Sequence, residues 1–167
     1  MLHGFTREFL ASLFTYDKRT GVFRRAVDRG PWKVGTEVGT VDGKGYLHVA
    51  VNRKFIRLHR LAFFLVTGEV PRYVDHKNGN KQDNRWKNLR ACTQSQNAGN
   101  SGMHRHNTSG FRGVSKNSRT GMWHAQIKVN GKQIYLGRFD TPEEAARCYD
   151  RAAKKHFGRN FASLNNA

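Results

Sequence analysis

Residues 74–84 read Val-Asp-His-Lys-Asn-Gly-Asn-Lys-Gln-Asp-Asn, where a hydrophobic strand runs into a polar loop rich in Asn, Gly and Lys. Asp75 and His76 stand at the end of that strand, and Asn97 follows on a predicted helix. Carboxylate and carboxamide oxygens are hard ligands for a divalent cation, and an imidazole of pKa about 6.5 can deprotonate water at neutral pH. These residue types indicate a metal-assisted hydrolase, in which Asp75 and Asn97 bind one cation and His76 acts on water.

A second interpretation of the same residues is a polar turn, in which Asp75 caps the loop and His76 binds phosphate without catalysis. Adjacent strand residues point to opposite faces, so Asp75 and His76 share one site only if the strand is distorted or has ended. The Lys-Asn-Gly sequence at 77–79 favours an ending. Spacing alone leaves both interpretations open.

Short strands and one buried helix are predicted on the N-terminal side of this stretch. Continuous apolar density from His59 to Thr67, followed by Gly68, predicts a buried helix. Alternating residues around turns predict two hairpins, with strands at residues 14–16, 22–24, 46–51 and 55–58.

The C-terminal side predicts a sheet followed by a helix. The Asn-Gly pair at 130–131 is a strong hairpin signal, and Thr141-Pro-Glu-Glu supplies an N-cap with a first-turn proline. Apolar residues recur at helical spacing up to Gly158. The three strand-like runs cover residues 111–115, 122–129 and 132–139.

The composition indicates a polyanionic partner. Thirty Lys and Arg against twelve Asp and Glu give the 167-residue chain a formal charge of +18, which calls for nucleic acid or an anionic membrane. The longest apolar run, 61–66, is too short to cross a bilayer, and no secretory signal is recognisable, so no membrane partner is expected. Two cysteines without a Cys-x-x-Cys pair argue against disulfides and thiolate zinc and fit a cytoplasmic protein.

Residues 46–100 resemble the HNH nucleases of phages and mobile introns. The resemblance rests on residues 75–80, on Asn88-Leu-Arg, on Thr-Gln-Ser-Gln-Asn at 93–97 and on His-Arg-Leu-Ala at 59–62. It implies that His76 is the general base, that Asp75 and Asn97 bind a single Mg²⁺ or Mn²⁺, and that Asn88 braces the loop. Asn97 stands where many of these nucleases carry a second catalytic His, which leaves the acid for the leaving group unassigned.

Three further residues of this half receive roles. His59 is expected to lie in the core or at the helix start, because a lone His beside an apolar helix usually does. Lys81 and Arg85 are predicted to contact DNA. His59 and Lys81 are also possible helpers in the acid role.

Residues 110–165 resemble the APETALA-two DNA-binding domain of plant ethylene-response regulators. The resemblance rests on Gly-Phe-Arg-Gly-Val at 110–114, Trp-His-Ala-Gln-Ile-Lys at 123–128, residues 134–141, the helix at 143–153 and residues 161–165. It implies that a three-stranded sheet lies in the major groove with Arg112, Gln126, Lys128, Gln133 and Tyr135 at the contact positions. Arg is the usual reader of guanine. Several of these residues differ from the plant ones, so the plant target sequence is not expected to transfer.

Taken together, these patterns predict an α+β protein. A ββα-metal HNH nuclease domain, preceded by β-hairpins, covers 1–100 with its core motif at 57–100. Residues 101–109 form a linker, and a three-stranded antiparallel sheet packed on one helix covers 110–167.

The predicted function is a sequence-targeted endonuclease that nicks double-stranded DNA and leaves a 5′-phosphate and a 3′-hydroxyl. It would act as a monomer, without a protein partner, in the cytoplasm of a bacterial host or phage-infected cell. The alternatives are a non-catalytic, sequence-specific DNA-binding regulator in which the HNH fold is a scaffold, and a binder of RNA or single strands.

Overall fold

Small antiparallel sheets, each packed against helices, form the protein in this computed structural model, which describes residues 1–100, 103 and 106–165. The chain divides into two units, Met1–Cys92 and Thr93–Ala167. Both units combine helices with antiparallel strands, so the predicted α+β fold class is confirmed. None of the described helices is long and apolar enough to cross a membrane.

The first unit contains two helices, α1 (Arg7–Leu13) and α2 (Leu58–Thr67), and a 3-10 turn at Trp86–Asn88. Its strands pair in the orders β1-β2-β3, β4-β5-β6 and β7-β8, all antiparallel. They are β1 (Phe14–Tyr16), β2 (Phe23–Arg25), β3 (Glu37–Val38), β4 (Thr40–Val41), β5 (Leu47–Val51), β6 (Lys54–Arg57), β7 (Tyr73–His76) and β8 (Leu89–Cys92).

Helix α2 lies in the core of this unit, as its sequence predicts. Leu61 and Ala62 are fully buried, and Gly68 ends the helix with φ 78°, while its N–H donates to the Phe64 carbonyl. Helix α1 was not predicted, although Thr6 accepts a hydrogen bond from the backbone N–H of Phe9 and so supplies an N-cap. Its length of 7 residues leaves little periodicity to read.

The second unit contains α3 (Gln94–Gly99), β9 (Val114–Lys116), β10 (Trp123–Val129), β11 (Lys132–Phe139) and α4 (Pro142–Phe157). The strands form one antiparallel sheet in the order β9-β10-β11. Thr141 caps α4 by accepting from the Glu144 N–H, and the apolar stripe of α4 packs against the sheet.

The first unit ends at Cys92, whereas the predicted HNH domain runs to residue 100, a bound that stays a prediction. Residues 93–100 belong to the second unit because Gly99 lies directly against the Phe157 ring and the Asn130 N–H donates to the Ser95 hydroxyl at 3.2 Å. The predicted linker at 101–109 falls partly outside the described residues. Its described end is ordered by hydrogen bonds, since Asn107 donates to the Phe111 carbonyl at 2.8 Å.

One turn occurs in both units. In residues 17–22 the Asp17 carboxylate accepts from the N–H groups of Arg19 and Thr20, and the Gly21 N–H donates to the Asp17 carbonyl at 2.8 Å. The same bonds occur in residues 117–122. The Asn117 side-chain oxygen accepts from the N–H groups of Arg119 and Thr120, and the Gly121 N–H donates to the Asn117 carbonyl at 2.8 Å.

Candidate functional site

The pair of strands β7 and β8 carries the predicted catalytic residues of the first unit. Asp75 lies opposite Arg90, and His76 lies opposite Leu89. Strand β7 continues through His76, so the strand has not ended between the two residues. Both side chains are nevertheless buried, with Asp75 7% and His76 4% exposed.

His76 lies in a cluster of polar and aromatic side chains. Its Nε2 is 3.3 Å from the Oδ1 of Asn84, and its ring meets the His59 ring edge-on at 5.0 Å between centroids. Burial lowers the pKa of His76 below its ordinary value of 6.5, although the Asn84 hydrogen bond and the Asp75 charge oppose this. The imidazole is therefore neutral at neutral pH, the form that can accept a proton.

Asp75 is held by an ion pair. The Nε and Nη2 atoms of Arg90 both donate to Oδ2 of Asp75, at 2.8 and 2.6 Å. Both side chains of this pair are about nine-tenths buried, with 11% exposed for Arg90 and 8% for Asp75. One carboxylate oxygen is thus engaged by a guanidinium.

Asn88 ties the loop between β7 and β8 together. Its Oδ1 accepts from the Asn78 N–H at 3.0 Å, and its Nδ2 donates to the Asn78 side chain at 3.0 Å and to the Asp83 carbonyl at 2.8 Å. Its own carbonyl accepts from the Lys77 N–H at 2.9 Å. These bonds hold both ends of the loop.

His59 is 4% exposed at the start of α2, and its Nδ1 makes no hydrogen bond with the described residues. Burial lowers its pKa to about 3. Tyr46 lies beside it, with ring centroids 5.0 Å apart.

Lys81 and Arg85, the predicted DNA contacts of this unit, already have protein partners. The Lys81 ammonium donates to the Lys44 carbonyl at 2.9 Å and lies 5.0 Å from the Tyr46 ring. Arg85 pairs with Asp83, and its hydrogen bonds lower the pKa of that carboxyl to about 2.

Sequence reasoning gave no role to two residues that contact the predicted pair. Asn84, 2% exposed, meets His76, and its carbonyl accepts from the Tyr16 hydroxyl at 2.7 Å. Arg90 pairs with Asp75 across the two strands. The signal was the sequence Asn-Leu-Arg at 88–90, but only the strand register shows which residue its Arg faces.

The predicted metal ligands are divided between the two units. Asp75 lies in the first unit, whereas Asn97 lies on α3 in the second. Among the described residues, no group of three or more His, Cys, Asp or Glu side chains could hold a metal ion. A carboxylate and a carboxamide fit a hard cation such as Mg²⁺ or Mn²⁺, which keeps several waters and binds phosphate oxygens.

The open face of the sheet in the second unit carries four of the five predicted base contacts. Gln126 pairs with Tyr135 and Lys128 with Gln133 across β10 and β11. Tyr135 is 60% exposed, and the Gln133 amide donates to the Gln126 side chain at 2.5 Å. The opposite face of the sheet packs on α4. Because successive strand residues point to opposite faces, this row of polar side chains points away from α4.

Arg112 lies before β9 and has a different environment. Its Nη1 donates to the Gly99 carbonyl at 2.9 Å, and its N–H donates to the Asn165 Oδ1 at 2.7 Å. The bond to Gly99 uses one of the five N–H donors of this guanidinium.

Comparison with known proteins identifies both halves. The HNH endonuclease family matches residues 57–99, and the AP2 domain matches residues 109–159. A protein named as an uncharacterized HNH endonuclease of Acanthamoeba polyphaga mimivirus is 31% identical over 137 residues, which are 80% of this chain and 70% of that protein. The chain belongs to the HNH endonuclease family.

This HNH endonuclease family member shares its C-terminal part with plant proteins. The AP2-like ethylene-responsive transcription factor TOE2 of Arabidopsis thaliana is 54% identical over 54 residues, 32% of this chain but 11% of that protein. The dehydration-responsive element-binding protein 1J of Oryza sativa subsp. japonica is 43% identical over 60 residues, 34% of this chain and 24% of that protein. The predicted combination of an HNH domain with an APETALA-two domain is confirmed.

Proposed function

We propose that the protein is a sequence-targeted endonuclease that nicks one strand of double-stranded DNA and leaves a 5′-phosphate and a 3′-hydroxyl. His76 is the general base, and Asp75 with Asn97 holds a single Mg²⁺ or Mn²⁺. The observation that carries the proposal is the buried, neutral imidazole of His76 beside Asn84, in a chain of the HNH endonuclease family.

The chain's own residues prepare the base. An amide oxygen accepts hydrogen bonds, so the contact between His76 and the Oδ1 of Asn84 places the ring proton on Nε2 and makes Nδ1 the basic atom. Asn88 keeps the loop that carries Asn84 in place. Nδ1 of His76 takes a proton from the attacking water.

The bound cation supplies charge stabilisation at the scissile phosphate. Its oxygen donors suit this chemistry, because they carry one full negative charge from Asp75 and a neutral amide from Asn97. One chain carries one such set of residues, so a monomer cuts one strand.

The second unit selects the site. Its sheet face of Gln126, Lys128, Gln133 and Tyr135 reads base edges in the major groove, and Arg112 adds a further contact. Lys81 and Arg85 contact phosphates of the same duplex.

The second candidate function is a non-catalytic DNA-binding regulator. One observation favours it: Arg90 donates twice to Oδ2 of Asp75, so the charge of this carboxylate is already balanced by a guanidinium. A regulator would bind the same DNA without cutting it.

Incubation with supercoiled plasmid separates the two functions. The wild-type protein is expected to give nicked circles with Mg²⁺ or Mn²⁺ and none with chelator. His76→Ala should lose about 10² to 10⁴ in rate while keeping its DNA affinity, because only the general base is removed. The control is His156→Ala, an exposed histidine in the last turn of α4. Nicking by His76→Ala at the wild-type rate would refute the assignment, and binding without any nicking by wild type would support the regulator.

A further inference from the structure

The first unit contains a hairpin that repeats the main hairpin of the second unit. Residues 49–58 read Val-Ala-Val-Asn-Arg-Lys-Phe-Ile-Arg-Leu, and residues 127–136 read Ile-Lys-Val-Asn-Gly-Lys-Gln-Ile-Tyr-Leu. Val, Asn, Lys, Ile and Leu recur at matching positions. The strand register also matches, because Val49 pairs with Ile56 as Ile127 pairs with Ile134.

The surrounding elements match as well. Asn52 and Asn130 both have positive φ at the turn, 46° and 49°. Each hairpin supplies the second and third strands of a three-stranded antiparallel sheet, and a helix follows, α2 in one case and α4 in the other. The helix contacts its own hairpin in each unit. The sheet β4-β5-β6 is therefore built like the sheet β9-β10-β11.

This correspondence identifies an open face on the first sheet. The positions of Gln126, Lys128, Gln133 and Tyr135 are taken in the first unit by His48, Ala50, Phe55 and Arg57. Phe55 is 68% exposed, whereas Val49, Val51 and Ile56 on the other face are buried. The HNH match begins at residue 57, so the segment that carries most of this face lies outside both family matches.

A groove borders the same face and contains unsatisfied polar atoms. It is lined by Arg25, Trp32, Thr40, His48 and Phe55, among others. The Nε of Arg25 and the Nδ1 of His48 are buried and make no hydrogen bond with the described residues. A buried polar atom without a partner is costly, so these two side chains gain hydrogen bonds if they turn outward to a ligand.

The segment that carries this face is basic, although the groove lining itself holds one Arg and one Glu, Arg25 and Glu37. Residues 23–57 contain eight Lys and Arg against three Asp and Glu. One of the three, Asp42, is paired with Arg57 at 2.9 Å and accepts from the Tyr46 N–H. The ligand that fits this excess is a polyanion.

We propose that this groove and the open face of β4-β5-β6 form a second surface for double-stranded DNA, in addition to the sheet of the second unit. Phe55 and Ala50 make apolar contacts of the kind that thymine methyl groups accept, and Arg25 with His48 donates to base edges or phosphates. The inference rests on the proposed function for the identity of its ligand, the DNA duplex.

The test measures binding of the full chain to a labelled duplex of mixed sequence, with variants of the surface. Phe55→Ala and the double variant Phe55→Ala with Arg25→Gln should weaken binding by about fivefold and about tenfold or more, respectively. The matched controls are Phe9→Ala, an exposed Phe on α1, and Arg19→Gln, an exposed Arg, which should bind like wild type. Phe55 is too exposed for its truncation to open the core, and circular dichroism checks the fold of each variant.

The outcomes separate this inference from the proposed function. Duplex binding by Phe55→Ala and the double variant equal to that of the controls overturns the inference and leaves the nicking proposal standing. A loss confined to single-stranded DNA, or a change in self-association without a change in duplex affinity, also overturns it. If the variants bind duplex DNA more weakly than wild type but the wild-type protein never nicks plasmid, the inference is supported and the proposed function is removed.

Discussion

Burial controls the chemistry of the two histidines in the first unit. His59 and His76 are each 4% exposed, their rings meet at 5.0 Å, and burial lowers both pKa values. A buried imidazole stays neutral because its charged form loses solvation. The same burial that suits His76 to accept a proton therefore makes the fold sensitive to acid.

The stability of the protein should fall as the pH drops from about 6.5 towards 3. In this window the unfolded chain protonates His59, whereas the folded protein, with a pKa of about 3 there, does not. The contribution of neutral His59 to the free energy of unfolding is complete above pH 6.5. Below that pH it falls by up to about 1.4 kcal/mol per pH unit. The groups that face this ring are Tyr46, His76, Arg57, Arg60 and Asp42.

Urea unfolding at neutral and mildly acidic pH measures this effect in wild type and in His59→Gln. The variant should lose less free energy of unfolding on acidification, although His76 still contributes in the same direction. Equal losses in the two proteins would show that His59 does not control the acid sensitivity.

Residue types alone pointed to Asp75, His76 and Asn97, because the chemistry of a carboxylate, an imidazole and an amide is visible in the sequence, and the family resemblance added Asn88. The contacts of these residues were not visible. The pair of Asp75 with Arg90 depends on the register of β7 against β8, and the approach of Asn84 to His76 depends on how the loop closes. Both are long-range outcomes of folding.

At the scale of elements, the pattern of turns and caps predicted most strands and the long helices, while glycine conformation shifted one strand. The sequence predicted a strand at residues 111–115, but β9 begins at Val114. Gly113 has φ 68°, a left-handed conformation that breaks an extended strand. Tyr149 and the Gln126 carbonyl lie where its side chain would be.

Gly113→Ala should therefore destabilise the protein more than Gly121→Ala. Gly113 and Gly121 have similar φ values, 68° and 72°, so the backbone strain is matched. A Cβ at Gly121 would meet nothing within 4 Å, whereas one at Gly113 would meet the Tyr149 ring and lie 2.5 Å from the Gln126 carbonyl oxygen. The expected difference is about 2 kcal/mol or more in the free energy of unfolding, measured by urea titration. Equal losses would mean that the sheet and α4 move apart without cost.

At the scale of the whole molecule, the charge of +18 is the dominant feature. Both units carry exposed Lys and Arg, so phosphate contacts are expected over an extended stretch of DNA. Such contacts release counterions, which ties affinity to salt concentration.

Affinity for duplex DNA should fall roughly 10³ to 10⁵-fold between about 50 and 200 mM salt if about 6 to 10 phosphates are contacted. A titration by fluorescence anisotropy at several salt concentrations measures the slope. A flat response would point to an acidic protein as the partner of this surface.

A fragment of residues 93–167 should fold alone and should be more stable than one of residues 107–167. The longer fragment keeps α3, and Gly99 covers the Phe157 ring and accepts from Arg112. Each kcal/mol that these contacts add to the free energy of unfolding raises the melting temperature by about 4 to 8 °C in a domain of this size. Calorimetry measures the two melting temperatures. Neither fragment should nick plasmid, because His76 is absent from both. Equal melting temperatures would show that α3 does not stabilise the second unit.

The turn that occurs at residues 17–22 and again at 117–122 can change its charge during evolution without changing its shape. Only one side-chain oxygen is used at its first position, supplied by a carboxylate at Asp17 and by an amide at Asn117. A replacement of Asp by Asn therefore keeps every bond of the turn while changing the local charge by one unit. Neutral drift at such a position adjusts the local charge of the turn without disturbing the hairpin that it closes.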